Sequence, residues 1–138
     1  MTLSQVIDRP VADVFAVVVD IAGYPKWDPP VKTVTWGGEM GVGATYEMDV
    51  KGFGEMTFET TEYVKDEVVR SSPISKRYSG GHRLTFSKEG EGTRIDHEFV
   101  IEPKGVLRLL SPLFGYMTRK GLQESAAALK DYCESNER

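Results

Sequence analysis

The sequence has few of the features that would cross-link the chain or anchor it in a membrane. Its single cysteine, Cys133, excludes an intramolecular disulfide, so we predict a reducing, cytoplasmic setting and a packed thiol. The longest apolar run, Val14 to Val19, is far too short to cross a bilayer. The first residues also lack the charged segment and the apolar segment of a secretory signal. We therefore expect no stable membrane insertion.

The charge balance excludes another class of protein. The formal net charge is -4, whereas a protein that follows nucleic-acid phosphates needs a basic stripe. The glycine-rich loop 37–43 lacks the Gly-Lys-Ser/Thr ending of a phosphate-binding loop and lies between two predicted strands, so a flexible hairpin is the better interpretation. We expect neither a nucleic-acid partner nor a cofactor.

The chain does contain enough apolar sequence for one folded domain over residues 1–138. Of its 138 residues, 40% are hydrophobic and 28% are charged. The longest stretch without strand alternation is 105–136, where we predict a lead-in turn at 105–110 and then a helix of about 24 residues. Ser111 is the predicted N-cap and Pro112 the first helical residue. At about 100° per residue, the apolar face of this helix contains Phe114, Gly121, Leu122, Ser125, Leu129 and Tyr132, with Ala126 and Cys133 at its edge.

The residues before this helix predict one antiparallel sheet. A strand over 2–8 is followed by a helix that starts after Asp8-Arg9-Pro10 and ends at Gly23, and then by a short helical turn at 24–27. Six further strands are predicted at 31–36, 44–51, 55–63, 67–73, 77–87 and 93–102. Their short connections imply antiparallel neighbours.

Side-chain alternation gives this sheet an apolar face and a charged face. A loop at 52–54 places Lys51 opposite Glu55 and predicts the facing pairs Val50–Met56, Met48–Phe58 and Tyr46–Thr60. In the first strand, Leu3, Gln5 and Ile7 alternate with Ser4 and Val6. The long helix is expected to cover the apolar face.

The two histidines also fall on the apolar face. If Ser87 pairs with Arg94 in the last hairpin, His82 lies opposite Phe99 and Leu84 lies opposite His97. The imidazoles are then diagonal neighbours, about 7 Å apart. No third metal ligand shares that face in the predicted register, so we predict no metal site.

The opening of the chain resembles a known superfamily. Pro10-Val11-Ala12-Asp13-Val14-Phe15, then Asp20 and Tyr24-Pro25-Lys26-Trp27, is similar to the first motif of the START-like, Bet v 1-like (SRPBCC) superfamily, and most similar to its polyketide cyclase/dehydrase and lipid-transport branch. The turn at 41–43, the strand start at 92–94 and Leu129-Lys130 extend the resemblance over essentially the whole chain. Coenzyme Q-binding relatives usually carry Phe where Trp27 stands, so the resemblance to that group is weaker.

This resemblance implies an α+β helix-grip fold. In that fold a seven-stranded curved antiparallel sheet wraps around a long C-terminal helix, two short helices follow the first strand, and a cavity lies between sheet and helix. The resemblance does not imply one activity. Members include lipid carriers, hormone receptors, aromatase/cyclases and chaperone cofactors, and they share no catalytic motif.

The inward face supplies candidates for binding a small-to-medium hydrophobic ligand of lipid, polyketide or quinone-like character. The predicted contacts are Tyr46, Met48, Met56, Phe58, Tyr78, His82, His97, Phe99 and Met117. In the favoured interpretation, the histidines orient an apolar ligand through hydrogen bonds. In an enzyme, His97, His82 or Tyr78 would act as acid or base, and Arg70, whose face is ambiguous, would stabilise negative charge.

Three functions remain open from the sequence. A binding or carrier protein is the leading hypothesis, a polyketide cyclase, aromatase or dehydratase is the alternative, and a protein–protein interaction module is the third. Leu113 and Met117 lie off the main helix face, near the upstream Leu107, Leu109 and Leu110. These residues are predicted to border the cavity mouth, to form a dimer contact or to touch a lipid surface. We expect a monomer or a weak homodimer.

Overall fold

The computed structural model describes residues 2–135 of the chain, which form strands and helices in the predicted order. The strands are β1 (Thr2–Ile7), β2 (Val31–Thr35), β3 (Thr45–Val50), β4 (Gly54–Val64), β5 (Val68–Pro73), β6 (Tyr78–Glu89) and β7 (Gly92–Pro103). The α-helices are α1 (Val11–Val19), α2 (Tyr24–Trp27) and α3 (Ser111–Ser135), and 3-10 helices occupy Ile21–Gly23 and Gly105–Leu110. The strands after α2 all end within two residues of the predicted positions.

The seven strands form one antiparallel sheet in the order β1-β7-β6-β5-β4-β3-β2. The first strand therefore pairs with the last, and the helices that follow β1 carry the chain to the opposite edge. The long helix α3 packs against β7 and β1, α1 packs against β6 and β7, and α2 packs against β2 and α3. The sheet curves around α3, so the predicted helix-grip fold is confirmed.

The first helix ends earlier than the sequence predicted. Instead of continuing to Gly23, α1 stops at Val19 because Asp20 leaves the helical conformation, with φ of -81° and ψ of 80°. A separate 3-10 turn follows, in which the Gly23 N–H donates to the Asp20 carbonyl at 3.1 Å. A Cβ at Gly23 would approach the Asp20 carboxylate to 2.6 Å, so the glycine makes room for that side chain.

The long helix begins at the predicted residue, but Ser111 is not its N-cap. Ser111 is itself helical, and its hydroxyl donates to the Arg108 carbonyl at 2.7 Å. The 3-10 helix at Gly105–Leu110 runs directly into α3, so there is no extended residue at the junction to act as a cap. The buried face is Phe114, Thr118, Leu122, Ala126, Leu129 and Cys133. It includes Thr118, which the prediction omitted, while Gly121, Ser125 and Tyr132 are half-buried.

The predicted register of β3 and β4 is wrong by two residues. Val50 pairs with Gly54, and the facing pairs are Met48–Met56 and Tyr46–Phe58. The turn lies at 51–53, one position earlier than predicted, and the Phe53 N–H closes it by donating to the Val50 carbonyl at 2.9 Å. Partners shift by an even number of residues, so each side chain still points to the predicted face.

The predicted register of the last hairpin is confirmed. Ser87 pairs with Arg94, and His82 pairs with Phe99. At one end of the space between the sheet and α3, the inward side chains form a packed cluster with α1. Its buried members are Ile7, Val14, Phe15, Val18, Val69, Leu84, Phe86, Ile95, Leu129 and Cys133.

Candidate ligand cavity

The sheet and α3 do not meet along their whole length, and a cavity of about 160 Å³ separates them. Apolar cavities of about 150 Å³ in protein cores accommodate a benzene ring, so there is room for a single-ring guest. Eight of the predicted ligand contacts line the cavity: Tyr46, Met48, Met56, Phe58, His82, His97, Phe99 and Met117. Their contact with a ligand stays a prediction.

Met117 reaches the cavity although it lies off the main face of α3. Its methyl group lies so close to the turn between β3 and β4 that a side chain on Gly52 would collide with it. Gly52 also has a φ of +88°, a conformation that favours glycine. The turn and Met117 therefore pack together beside the cavity.

Tyr78 is the predicted contact that does not line the cavity. Its ring packs edge-on against Phe53 and Phe114, with ring centroids 5.5 and 5.6 Å away. It is 7% exposed and belongs to a buried cluster with Met56 and Ile101. Tyr78 therefore packs within an aromatic cluster outside the cavity lining, and its contact with a ligand and its role as acid or base stay predictions.

Arg70 lies on the outer face of the sheet. Its neighbours along β5, Val69 and Ser71, point into the cavity, so alternation directs Arg70 outward. Its guanidinium donates to the hydroxyls of Thr61 and Ser72 at 3.0 and 2.7 Å. The role of stabilising negative charge on a cavity ligand is not supported by this position.

The two histidines are closer than predicted and belong to a chain of hydrogen bonds. His82 Nε2 lies 3.4 Å from His97 Nδ1, and His97 Nε2 lies 3.2 Å from Gln5 Nε2. With the Gln5 amide donating, His97 carries its proton on Nδ1 and donates it to His82. Alternation in the sequence placed Gln5 on the same strand face as Leu3 and Ile7, but Gln5 was not recognised as a site residue. Because β1 pairs with β7, Gln5 lies beside His97.

Burial keeps both histidines neutral near pH 7. It lowers the pKa of His82 to about 3, with the proximity of His97 adding to the effect. It lowers the pKa of His97 to about 4, and the charge of Asp96 opposes that shift. A neutral imidazole of such low basicity is a good hydrogen-bonding partner but a weak general base.

Tyr46 adds a polar group to the same wall. Burial raises its pKa to about 12, and a hydrogen bond with Ser71 opposes the shift. Ser71 pairs with His82 across β5 and β6 and also lines the cavity. The other sheet residues that line the cavity are apolar, except for Thr60 and for Lys51 in the turn after β3.

Sequence reasoning missed a buried carboxylate on the opposite wall. Asp28 follows α2, is 8% exposed, and accepts a hydrogen bond of 2.5 Å from the Ser125 hydroxyl. Burial raises the pKa of the Asp28 carboxyl to about 6, the bond from Ser125 opposes this shift, and nearby Glu124 adds to it. The Asp28-Pro29-Pro30 sequence was interpreted as chain punctuation. Ser125 on a predicted buried face was the available indication of a polar neighbour.

Several apolar side chains near the start of α3 are exposed. They are Val106, Leu109, Leu110, Leu113 and Tyr116, with exposed fractions from 46% to 87%. The three interpretations of this surface stay predictions. Among residues 2–135, no helix is long and apolar enough to cross a membrane, and no three His, Cys, Asp or Glu side chains cluster as metal ligands do.

The curved sheet, the long helix and the cavity between them define a protein of the helix-grip class. The sequence profile described as "Polyketide cyclase / dehydrase and lipid transport" matches residues 1–134. The chain therefore belongs to the polyketide cyclase/dehydrase and lipid-transport family, as the resemblance implied. No individually curated protein matches the chain significantly.

Solved structures share the fold at low sequence identity. A START superfamily protein from Mycobacterium smegmatis superposes with a TM-score of 0.84 at 15% identity, covering 99% of this chain and 98% of that one. The Zhui aromatase/cyclase from Streptomyces sp. R1128 superposes with a TM-score of 0.79 at 14% identity, covering 100% and 94%. Norcoclaurine synthase from Thalictrum does so with 0.76 at 12% identity, covering 100% and 95%.

Proposed function

We propose that this protein is a cytoplasmic binding or carrier protein that holds a small apolar ligand, with about one ring buried, between the sheet and α3. The observation that carries the proposal is the cavity of about 160 Å³ beside an otherwise packed core. An empty apolar space of that size costs stability, because its lining atoms lack contacts that a guest would supply. Family membership supports the same class of ligand.

The histidines support binding rather than catalysis. Their lowered pKa values leave them unprotonated near neutral pH, so they can orient a carbonyl or hydroxyl of the ligand but are weak bases. An aromatase/cyclase-type enzyme is the second candidate, favoured by the structural likeness to the Zhui aromatase/cyclase. A turnover assay on poly-β-ketone surrogates separates the two, because loss of turnover in His97→Ala would support the enzyme.

The first test asks whether the cavity accepts an apolar ring. Ethylbenzene titrated into the protein should shift the amide NMR signals of cavity residues, with a dissociation constant of about 0.1–1 mM. Native mass spectrometry of freshly purified protein would reveal a co-purified small molecule. Backbone amide signals that stay unchanged up to the aqueous solubility limit of ethylbenzene would contradict the proposal.

Two glycines of α3 provide matched variants. A Cβ at Gly121 or at Gly115 would meet no atom within 4 Å, but only Gly121 lines the cavity, while Gly115 is exposed. Gly121→Met should fill the cavity and abolish ethylbenzene binding, whereas Gly115→Met should leave it unchanged. Equal effects of both substitutions would place the binding elsewhere.

A further inference from the structure

The helix-side wall of the cavity contains a carboxylate that a purely apolar ligand would not use. Asp28 lines the cavity and is held in place by its backbone, since its N–H donates to the Tyr24 carbonyl at 2.8 Å and its carbonyl accepts from the Val31 N–H at 3.0 Å. Within residues 2–135, Ser125 is the one side chain that donates a hydrogen bond to the Asp28 carboxylate. A carboxylate has about four acceptor positions, so it can accept from a ligand in addition to Ser125.

A structural clip between α2 and α3 would not need a charge at this position. A serine or asparagine could bond to Ser125 without the cost of removing a carboxylate from water. Glu124, on the same helix as Ser125, adds an unfavourable negative charge. The arrangement therefore disfavours the ionised carboxyl, and a hydrogen-bond donor on a ligand in the cavity would offset that cost.

Thr118 is an independent indication that this wall binds something polar. It is 5% exposed and lines the same cavity, yet its hydroxyl is the one buried side-chain polar atom without a hydrogen-bond partner in the described part of the chain. Buried polar atoms are almost always paired, and an unpaired one costs stability. Thr118 precedes Ser125 by two helical turns, about 10 Å along the same face of α3.

The space between these two hydroxyls is open. Gly121 lies between Thr118 and Ser125 on the cavity side, and no atom lies within 4 Å of where its Cβ would be. The helix wall thus presents Thr118, an open position, and the Ser125–Asp28 pair. The opposite wall presents the neutral histidine pair, so the two walls offer different chemistry to one ligand.

We propose that Asp28, Ser125 and Thr118 form a polar subsite that binds a hydroxyl or ammonium group carried by a ring-sized apolar ligand. The inference rests on the proposed function, because it concerns the same cavity. The carboxylate accepts the hydrogen bond of the ligand, Ser125 orients the carboxylate, and Thr118 donates to or accepts from a second polar atom. A hydroxyl and an ammonium group share the ability to donate, and the experiment separates them.

Three probes of equal heavy-atom number isolate the polar group. Ethylbenzene, benzyl alcohol and benzylamine differ only in carrying a methyl, hydroxyl or ammonium group. Transfer from water into an apolar cavity favours the hydrocarbon. In wild-type protein at pH 7.5, we expect benzyl alcohol or benzylamine to bind at least as tightly as ethylbenzene, because the subsite offsets that preference.

Asp28→Asn tests the carboxylate, and Asp131→Asn, on the exposed side of α3, is the matched control. Asp28→Asn should weaken the better-binding polar probe about tenfold and leave ethylbenzene within about twofold. Loss confined to benzylamine assigns an ammonium ligand, and loss of both polar probes assigns a hydroxyl-tolerant site. Asp131→Asn should change none of the three.

The outcomes separate this inference from the proposed function. If ethylbenzene binds and Asp28→Asn changes no probe, the subsite is wrong and the cavity proposal stands. If none of the three probes binds the wild-type protein, the proposed function is wrong and the subsite with it. Ser125→Ala leaves the carboxylate in place. It should therefore weaken the binding of the same polar probes as Asp28→Asn, but by a smaller factor.

A measurement on the wild-type protein covers the case in which Asp28→Asn does not fold. The carboxyl carbon of Asp28 is followed by NMR against pH, with and without saturating probe. Benzylamine or benzyl alcohol should lower the titration midpoint by about one pH unit, the linkage equivalent of tenfold binding, whereas ethylbenzene should not lower it. Glu124 and Tyr24 face Asp28 from α3 and α2, and Lys51 and the histidines share the cavity, so their signals are followed in parallel. An unchanged midpoint with every probe would overturn the subsite.

Discussion

The two ends of the space between the sheet and α3 are built differently. At one end, α1 inserts Val14 and Phe15 between α3 and β6, and residues such as Ile95 have no exposed surface. At the other end, called the hollow end below, the short helix α2 packs against β2 and α3, and the walls carry methionines, aromatics and polar groups around a cavity. The same helix and the same sheet face serve both ends. The comparison teaches that the helix packed at each end decides how well it is filled, because the nine-residue α1 fills the packed end whereas the four-residue α2 leaves a cavity.

Acid pH should act on the hollow end first. His82 and His97 are the only histidines in the sequence, and both have pKa values lowered by burial, to about 3 and about 4. A lowered histidine pKa means that the folded state binds fewer protons than the unfolded state. The stability they contribute is therefore complete above about pH 6.5 and is lost as the pH falls towards 4 and 3. The expected loss by pH 4 is on the order of 5 kcal/mol.

The double variant His82→Gln/His97→Gln tests this assignment. Urea denaturation at intervals between pH 4 and pH 7 should give a flatter dependence for the variant, because the other titrating groups are common to both proteins. A variant that loses stability with acid as steeply as the wild-type protein would show that the sensitivity lies elsewhere.

Truncation should cost more at the packed end than at the hollow end. Ile95→Ala should lower the free energy of unfolding by about 2–5 kcal/mol, because its neighbours surround it completely. Met48→Ala should cost only about 1–2 kcal/mol, since one side of Met48 already borders empty space and fewer contacts are lost. Urea denaturation at pH 7 measures both. Equal losses would mean that the hollow end is packed as tightly as the packed end.

Asp28→Asn should stabilise the protein at high pH. The pKa of Asp28 is raised to about 6 from an unfolded value of 3.8, so the folded state binds more protons between these values. The favourable contribution is present below pH 3.8 and is lost as the pH rises through 6. Removing the charge should therefore raise the free energy of unfolding at pH 8 by up to about 3 kcal/mol.

The pH dependence of that gain distinguishes it from an effect of local repacking. The gain should shrink towards zero at pH 4, where the wild-type carboxyl is also neutral. Asp131→Asn, an exposed control, should stay within about 0.5 kcal/mol of wild type at both pH values. A gain that does not depend on pH would contradict a charge effect.

The sequence predicts the last hairpin better than the β3–β4 hairpin. The last hairpin has regular alternation and a short turn at 90–91, so its register could be deduced, and with it the inward position of both histidines. The β3–β4 register failed because glycines at 52 and 54 allow the turn to form at either of two positions. The consequence was small, since the side-chain faces did not change.

The helix-side wall could not be deduced because its members look ordinary in sequence. Thr118 lies about 40° from Phe114 on the helix, well inside the predicted face, but a hydroxyl does not mark a core position. Asp28 lies in a proline-rich turn of the kind usually found at the surface. Its burial depends on how α2 packs against α3, a tertiary contact that no local pattern encodes. Gly121 and Ser125 on the same face were the two indications that the face is not solidly packed.

The smallest expected effect sharpens the comparison within α3 itself. Gly121→Ala and Gly115→Ala should each stabilise the protein by about 0.5–1 kcal/mol, because alanine favours the helix and neither new methyl group meets another atom. Only the Gly121 methyl enters the cavity, so only that variant should weaken ethylbenzene binding, by a few-fold. Thermal denaturation and the NMR titration measure the two quantities. If Gly121→Ala instead destabilises the protein, the space beside Gly121 is filled, and the distinction between the packed end and the hollow end fails.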